Sequence, residues 1–159
     1  MLFKKVKLTV NNNYTSDINS PLRFFKNDSL YLKFEIYEFG IEYKNGTSKF
    51  RETPINGAVS AVLLIENPYG VDSIESMSIE ENLITFHLNE EHTQYPGVSK
   101  MQIVLLDEDN YKVTLPEFSF EIKKSINEQW DGEDVIYPTI LLDDDGSVIL
   151  VDEETALIR

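Results

Sequence analysis

His87 and His92 are the only histidines in the chain, and there is no cysteine. Disulfides, thiolate nucleophiles and Cys-based zinc sites are thereby excluded. A zinc site would have to draw on both imidazoles together with carboxylates. The plainer reading of His87 is a residue on the second face of a strand, because it alternates with Phe86 and Leu88. There is no Gly-x-Ser-x-Gly elbow and no glycine-rich phosphate loop. These residues predict a protein that is not an enzyme and holds no cofactor or metal. Two acidic clusters, Asp107-Glu108-Asp109-Asn110 and Asp143-Asp144-Asp145-Gly146-Ser147, raise the question of calcium. Calcium needs six to eight converging oxygens. Neither cluster has the Asp-x-Asp-x-Asp-Gly spacing, and consecutive carboxylates on a tight turn diverge into solvent. The expected role is a turn whose Asp hydrogen-bonds its own backbone.

Aromatic residues offer a different chemistry, since a pyranose ring stacks on Tyr or Trp. Tyr31 and Tyr37 share a parity, but six residues of strand separate them by ~20 Å, too far to grip one ring. Trp130, beside Asp131 and Asp134, is the better single candidate, and its competing role is an apolar anchor in a connector. A carbohydrate-binding or adhesion module is therefore the alternative function.

Charge is unevenly placed. Residues 1–51 carry nine Lys/Arg against five Asp/Glu, a net of +4, whereas residues 52–159 carry five against twenty-three, −18, which together make the total of −14. An acidic surface of this kind repels phosphate backbones, so no nucleic-acid partner is expected. The opposed signs favour head-to-tail contacts between copies or a basic partner, and they also serve solubility. The N-terminal MLFKKVKLTV lacks the apolar run of a signal peptide. The longest apolar run, Ala61–Ile65, is far short of the roughly 20 residues of a membrane helix. A soluble product made in the cytoplasm, without a membrane partner, is the expectation.

The elements that must position these residues are strands. Ile84, Phe86 and Leu88 alternate with Leu83, Thr85 and His87; Met101, Ile103 and Leu105 alternate with Gln102, Val104 and Leu106. Val113 and Leu115 follow the Asp109-Asn110 turn, and Phe118, Phe120 and Ile122 follow Pro116. Earlier, Val6, Leu8 and Val10 form a first strand, residues 11–20 a loop, and Leu30, Leu32, Phe34 and Ile36 the clearest strand of the first half. Val59, Ala61, Leu63 and Ile65 share one face, ended by the turn Asn67-Pro68-Tyr69-Gly70. A short strand is expected around Ser76–Ile79 and a single helical turn around Glu90–Thr93. Asn45-Gly46 within residues 39–54 predicts a tight hairpin, because both positions tolerate positive φ. Period-two patterning without a helical stretch predicts an all-β, antiparallel, immunoglobulin-like β-sandwich over residues 1–126. At 159 residues the chain is long enough to bury roughly 70% of its unfolded surface.

Residues 127–159 differ, with ten acidic residues against Arg159 alone. Ile140-Leu141-Leu142 and Val148-Ile149-Leu150-Val151 flank the Asp-Gly turn and predict a C-terminal β-hairpin extension behind an acidic connector. A lone hairpin is marginal in water. Trp130, Ile140, Leu142, Val148 and Leu150 are therefore the interface candidates.

The order of small motifs resembles a known family. Phe24-Phe25-Lys26-Asn27-Asp28-Ser29-Leu30, Ile55-Asn56-Gly57-Ala58, Asn67-Pro68-Tyr69-Gly70, Ile84-Thr85-Phe86-His87-Leu88, Pro96-Gly97, Ile103-Val104-Leu105-Leu106-Asp107 and Phe118-Ser119-Phe120-Glu121-Ile122 follow one another as in that family. The pattern is similar to the N-terminal domain of the upper baseplate proteins of siphophages infecting Gram-positive bacteria, over residues 20–126. Two features depart from it: residues 39–54 form a longer insertion, and the acidic tail has no counterpart. The resemblance implies a structural protein of the virion, at the phage tail tip. It would dock on baseplate or distal tail proteins and scaffold host-adhesion components, as a homo-oligomer with a trimer favoured.

Overall fold

The computed structural model describes residues 2–124 and Ile126. The chain runs through β1 (Phe3–Val10), β2 (Ser16–Ile18), β3 (Arg23–Phe25), β4 (Leu30–Lys44), β5 (Thr47–Pro54) and β6 (Ser60–Asn67). It continues through β7 (Gly70–Glu75), β8 (Ser78–Glu80), β9 (Leu83–Leu88), a 3-10 turn (Glu90–Thr93), β10 (Gly97–Leu106), β11 (Lys112–Thr114) and β12 (Phe118–Lys123). Sheet A has the order β2-β1-β4-β9-β8 with β5 also on β4; sheet B has β3-β12-β10-β6-β7 with β11 also on β10. The all-β sandwich expected from the period-two pattern is present. The predicted C-terminal hairpin lies outside the described residues.

The two sheets are mixed rather than wholly antiparallel. β1 runs parallel to β4, from Phe3 opposite Tyr31 to Val10 opposite Glu38, and β3 runs parallel to β12. Alternation reports which face a side chain takes and carries no information on strand direction. Both parallel partners are far apart in sequence, so no hairpin rule connects them. Two further differences come from short strands. Residues 11–20 hold β2, which pairs with the end of β1. Instead of one strand at Ser76–Ile79 there are two, β7 in sheet B and β8 in sheet A. The chain changes sheets between them, where Ser76 N–H donates to Ala61 O and Met77 N–H donates to Thr85 O.

The core is the inward parity of both sheets. Leu32, Phe34 and Ile36 of β4, Phe86 and Leu88 of β9, and Leu63 and Ile103 of sheet B are wholly buried. Phe34 lies 6.0 Å from Phe86 within its sheet and 5.5 Å from Phe118 across the sandwich. Burying a side chain of this size contributes about 1.5–3 kcal/mol. Val59 does not join Ala61, Leu63 and Ile65: it is exposed, because β6 begins only at Ser60. Thr93, a buried polar residue, donates from Oγ1 to Asp28 O at 2.8 Å, while Asn27 N–H donates to Thr93 O. The 3-10 turn thereby fastens the β3–β4 turn.

β4 is 15 residues long, and its two halves have different neighbours. Residues 30–35 pair with β9, and residues 37–44 pair with β5 as a two-stranded arm. Asn45 and Gly46 close the arm with φ of 53° and 76°, as the Asn-Gly dipeptide predicts. Every residue of β5 is exposed.

Candidate docking surface

The outward parity of β4 is Tyr31, Lys33, Glu35 and Tyr37, and on the arm it continues as Phe39, Ile41 and Tyr43. Cross-strand register places partners beside each. Phe3, Tyr31 and His87 stand in one row across β1, β4 and β9, and Lys5, Lys33 and Thr85 in the next. The Tyr31 and His87 rings stack at 4.8 Å, and Lys33 Nζ lies 4.6 Å from the Phe3 ring centroid. His87 is thus a second-face residue, as expected, with an aromatic partner. His92 sits in the 3-10 turn, where its Nδ1 accepts the Asn89 N–H at 3.0 Å.

At the base of the arm, Glu52 of β5 reaches across β4 to β1. Lys7 Nζ donates to Glu52 Oε1 at 2.7 Å, and Thr9 Oγ1 donates to Oε2 at 3.2 Å. Lys7 Nζ also lies 4.8 Å from the Tyr37 ring centroid, and the Tyr37 hydroxyl donates to Glu35 Oε2. The hydrogen bond to Glu52 raises the Lys7 ammonium above its ordinary value, and the same bond holds the Glu52 carboxyl below its own. Both groups are therefore charged at neutral pH, and together they clip the arm to the sandwich.

Beyond the clip the arm is amphipathic. Phe39, Ile41, Tyr43 and Phe50 take one side, with the Phe39 and Phe50 rings stacked at 5.3 Å. Glu42 and Arg51 take the other, joined at 3.2 Å. Ile41, Phe50 and Tyr43 are 45%, 59% and 77% exposed, a concentration of apolar surface that isolated surface residues do not produce. Such a face suits docking against a partner.

The sequence reading placed Tyr31 and Tyr37 on one outward face, where they are, but passed over the arm's apolar side and the lysines around it. The signal was present: the alternation of Leu30–Ile36 runs on, and beyond Tyr37 the apolar residues move to the outward parity. Asp107 behaves as a turn residue of the expected kind, its Oδ1 accepting the N–H groups of both Asp109 and Tyr111. Among the described residues no three His, Asp or Glu side chains converge on a point. The interface candidates Trp130, Ile140, Leu142, Val148 and Leu150 lie outside the described residues.

A second surface feature is an open cleft of about 570 Å³ lined by Tyr69, Tyr95, Asn67, Asp72, Glu91, His92 and Gln94, among others. The two tyrosine rings meet edge to face at 5.4 Å.

No family model and no curated protein sequence matches the chain. Among solved structures it is similar to the N-terminal domain of phage TP901-1 ORF48, at 15% identity and a TM-score of 0.54, over 78% of this chain and 100% of that one. At this identity the likeness is one of fold, and it bears out the resemblance to a phage baseplate domain read from the motif order: the described sandwich has the fold of that phage domain along that domain's whole length.

Proposed function

We propose that this chain is a structural protein of a phage tail baseplate, which docks on the tail core and scaffolds host-adhesion components. The observation that carries this reading is the complete coverage of a phage baseplate protein's N-terminal domain. The exposed aromatic side of the arm supports it, because its chemistry is that of an interface. The mechanism is interface formation: strand faces and the arm bury against neighbouring subunits, and no bond is made or broken. Residues 1–126 are the docking sandwich and residues 127–159 an acidic connector and β-hairpin, whose Trp130, Ile140, Leu142, Val148 and Leu150 add contact area. The partners are baseplate or distal tail proteins and further copies of the chain, with a trimer favoured, in the virion at the tail tip. Mass spectrometry of purified virions, paired with co-elution of the chain and the tail proteins encoded beside it, tests this. Presence in virions and co-elution support the reading; absence from both overturns it.

The Tyr69–Tyr95 cleft favours a second reading, a carbohydrate-binding module, since the exposed Tyr69 ring and the half-buried Tyr95 ring stand there among amide and carboxylate groups that hydrogen-bond hydroxyls. Titration with cell-wall oligosaccharides decides it. Binding that Tyr69→Ala abolishes supports this function, and no binding at millimolar sugar removes it.

A further inference from the structure

A cavity opens at the end of the sandwich where β1 and β10 finish. It shares no residue with the Tyr69–Tyr95 cleft or with the aromatic side of the arm. Its volume is about 540 Å³, within the roughly 300–1,000 Å³ of small-ligand pockets. The floor is the mouth of the core: Val10, Leu105 and Leu115 are buried there, with Ile55 and Ala58 packed beside them. Tyr14 and Tyr111 also line it, and both are largely exposed.

Hydrogen bonds between the sheets hold the walls of this cavity. Ile55 N–H donates to Ile36 O in sheet A and Val59 N–H to Leu106 O in sheet B, so the connection from β5 to β6 spans the mouth. The Tyr14 hydroxyl donates to Thr114 O at 2.6 Å and the Ser16 hydroxyl to Pro116 O at 2.7 Å, which ties the loop after β1 to the segment around β11. The turn that carries Tyr111 is closed by Asp107 Oδ1. A cavity held in this way receives a ligand at little cost in ordering.

The lining discriminates by charge. It contains two carboxylates, Glu38 and Asp107, and no basic side chain. Asp107 is committed in part, because its Oδ1 accepts the N–H groups of Asp109 and Tyr111. Among the described residues the Glu38 carboxylate has neither a hydrogen bond nor an ion pair. Arg51, which shares that side of the arm, is taken by both carboxylate oxygens of Glu42, at 3.2 and 3.3 Å. Lys112 has the opposite parity from Tyr111 and Val113 and takes the outer face of sheet B beside Leu106. A free carboxylate next to aromatic rings attracts positive charge, through both Coulomb attraction and the ring quadrupole. The apolar floor adds a preference for hydrocarbon. We propose that the cavity binds an organic cation with an apolar body, its ammonium or guanidinium group on Glu38 beside Tyr111 and its hydrocarbon over Leu105 and Leu115. The cation is a free small molecule or a lysine or arginine side chain of a partner. This inference goes beyond the baseplate reading and does not depend on it.

The test titrates the full-length chain with two cationic probes, phenethylammonium and the peptide acetyl-Leu-Arg-Leu-amide, and follows the backbone amides by NMR. Phenylethanol and 3-phenylpropionate, the neutral and anionic counterparts of the first probe, are the controls. At least one cation should bind with a Kd of about 1 mM or below, and neither control within about tenfold of it. The shifts should centre on Val10, Gly57, Leu105 and Tyr111. Glu38→Gln should weaken binding about tenfold, and Tyr111→Ala should weaken it to a lesser degree. Both side chains are exposed, so neither change disturbs the core. Tighter binding of the peptide assigns the cavity to a partner's side chain, and tighter binding of the amine assigns it to a free small molecule; either supports the site. No shifts at about 10 mM of both cations, equal binding of the alcohol, or binding unchanged by Glu38→Gln would each overturn the inference. A chain that binds the cations but is absent from virions would sink the baseplate reading alone.

Discussion

Thr93 shows how much one hydroxyl decides. It is fully buried, and its Oγ1 donates to the carbonyl of Asp28, 65 residues away in the chain. Thr93→Val preserves the shape of the side chain and leaves that carbonyl unpaired. We expect a loss of about 1–3 kcal/mol in urea unfolding, with the fold retained; an unchanged midpoint would mean that water replaces the hydroxyl. The Lys7–Glu52 pair is a contact of another kind, exposed and dependent on pH. Because folding lowers the Glu52 carboxyl, its contribution is present above the ordinary carboxylate value and is lost as pH falls through the folded one. Because folding raises Lys7, its contribution is present below the ordinary lysine value and is lost as pH rises through the raised one. The clip is therefore intact between about pH 5 and pH 10. The melting temperatures of the native chain and Glu52→Gln should differ slightly at neutral pH and converge toward about pH 3, the effect being small because both groups face water. A constant difference across that range would assign the effect to something other than the ion pair.

Among the elements, the arm stands apart. The sandwich strands are held on one side by the core, whereas the arm beyond Glu38 has, among the described residues, the Glu52 clip to Lys7 and Thr9, its own cross-strand bonds, the Glu42–Arg51 pair and the stacked Phe39 and Phe50 rings. Its closing turn requires a left-handed backbone at Gly46, where φ is 76°. A side chain there crowds the following carbonyl, and valine adds a branched Cβ. Gly46→Val should cost on the order of 1–2 kcal/mol, spent locally. Hydrogen exchange should speed up over residues 37–54 while the amides of β10 keep their protection, because opening the arm exposes no core residue. Faster exchange throughout would mean that the arm is integral to the sandwich.

For the whole molecule, the division at residue 126 is the part of the domain proposal that an experiment reaches directly. Residues 1–126 contain every described strand of both sheets and every described core residue. Deleting residues 138–159 should leave cooperative unfolding and a β-sheet spectrum in place and weaken assembly or docking on the tail core. Loss of cooperative unfolding would assign the deleted segment to the core instead. Normal assembly of the truncated chain would show that its apolar residues take no part in an interface.

The alternation of apolar residues was enough to determine the fold class and the inward face of nearly every long strand, and local residue types were enough for the Asn-Gly turn and the helical turn at Glu90–Thr93. Each of these rests on interactions between residues close in sequence, or on the single choice between core and water. The tertiary structure alone decided what depends on partners distant in sequence. The parallel pairing of β1 with β4, the crossing of the chain between sheets at Ser76 and Met77, and the Thr93–Asp28 bond are of this kind. So is the candidate docking surface. Tyr31, His87, Lys7, Glu52 and Phe50 come from four strands, and only the register brings them to one side of sheet A. What the residues at 39–54 do by themselves is form a ribbon; that no described residue covers its aromatic side follows from where the sandwich ends, which is a property of all the strands together.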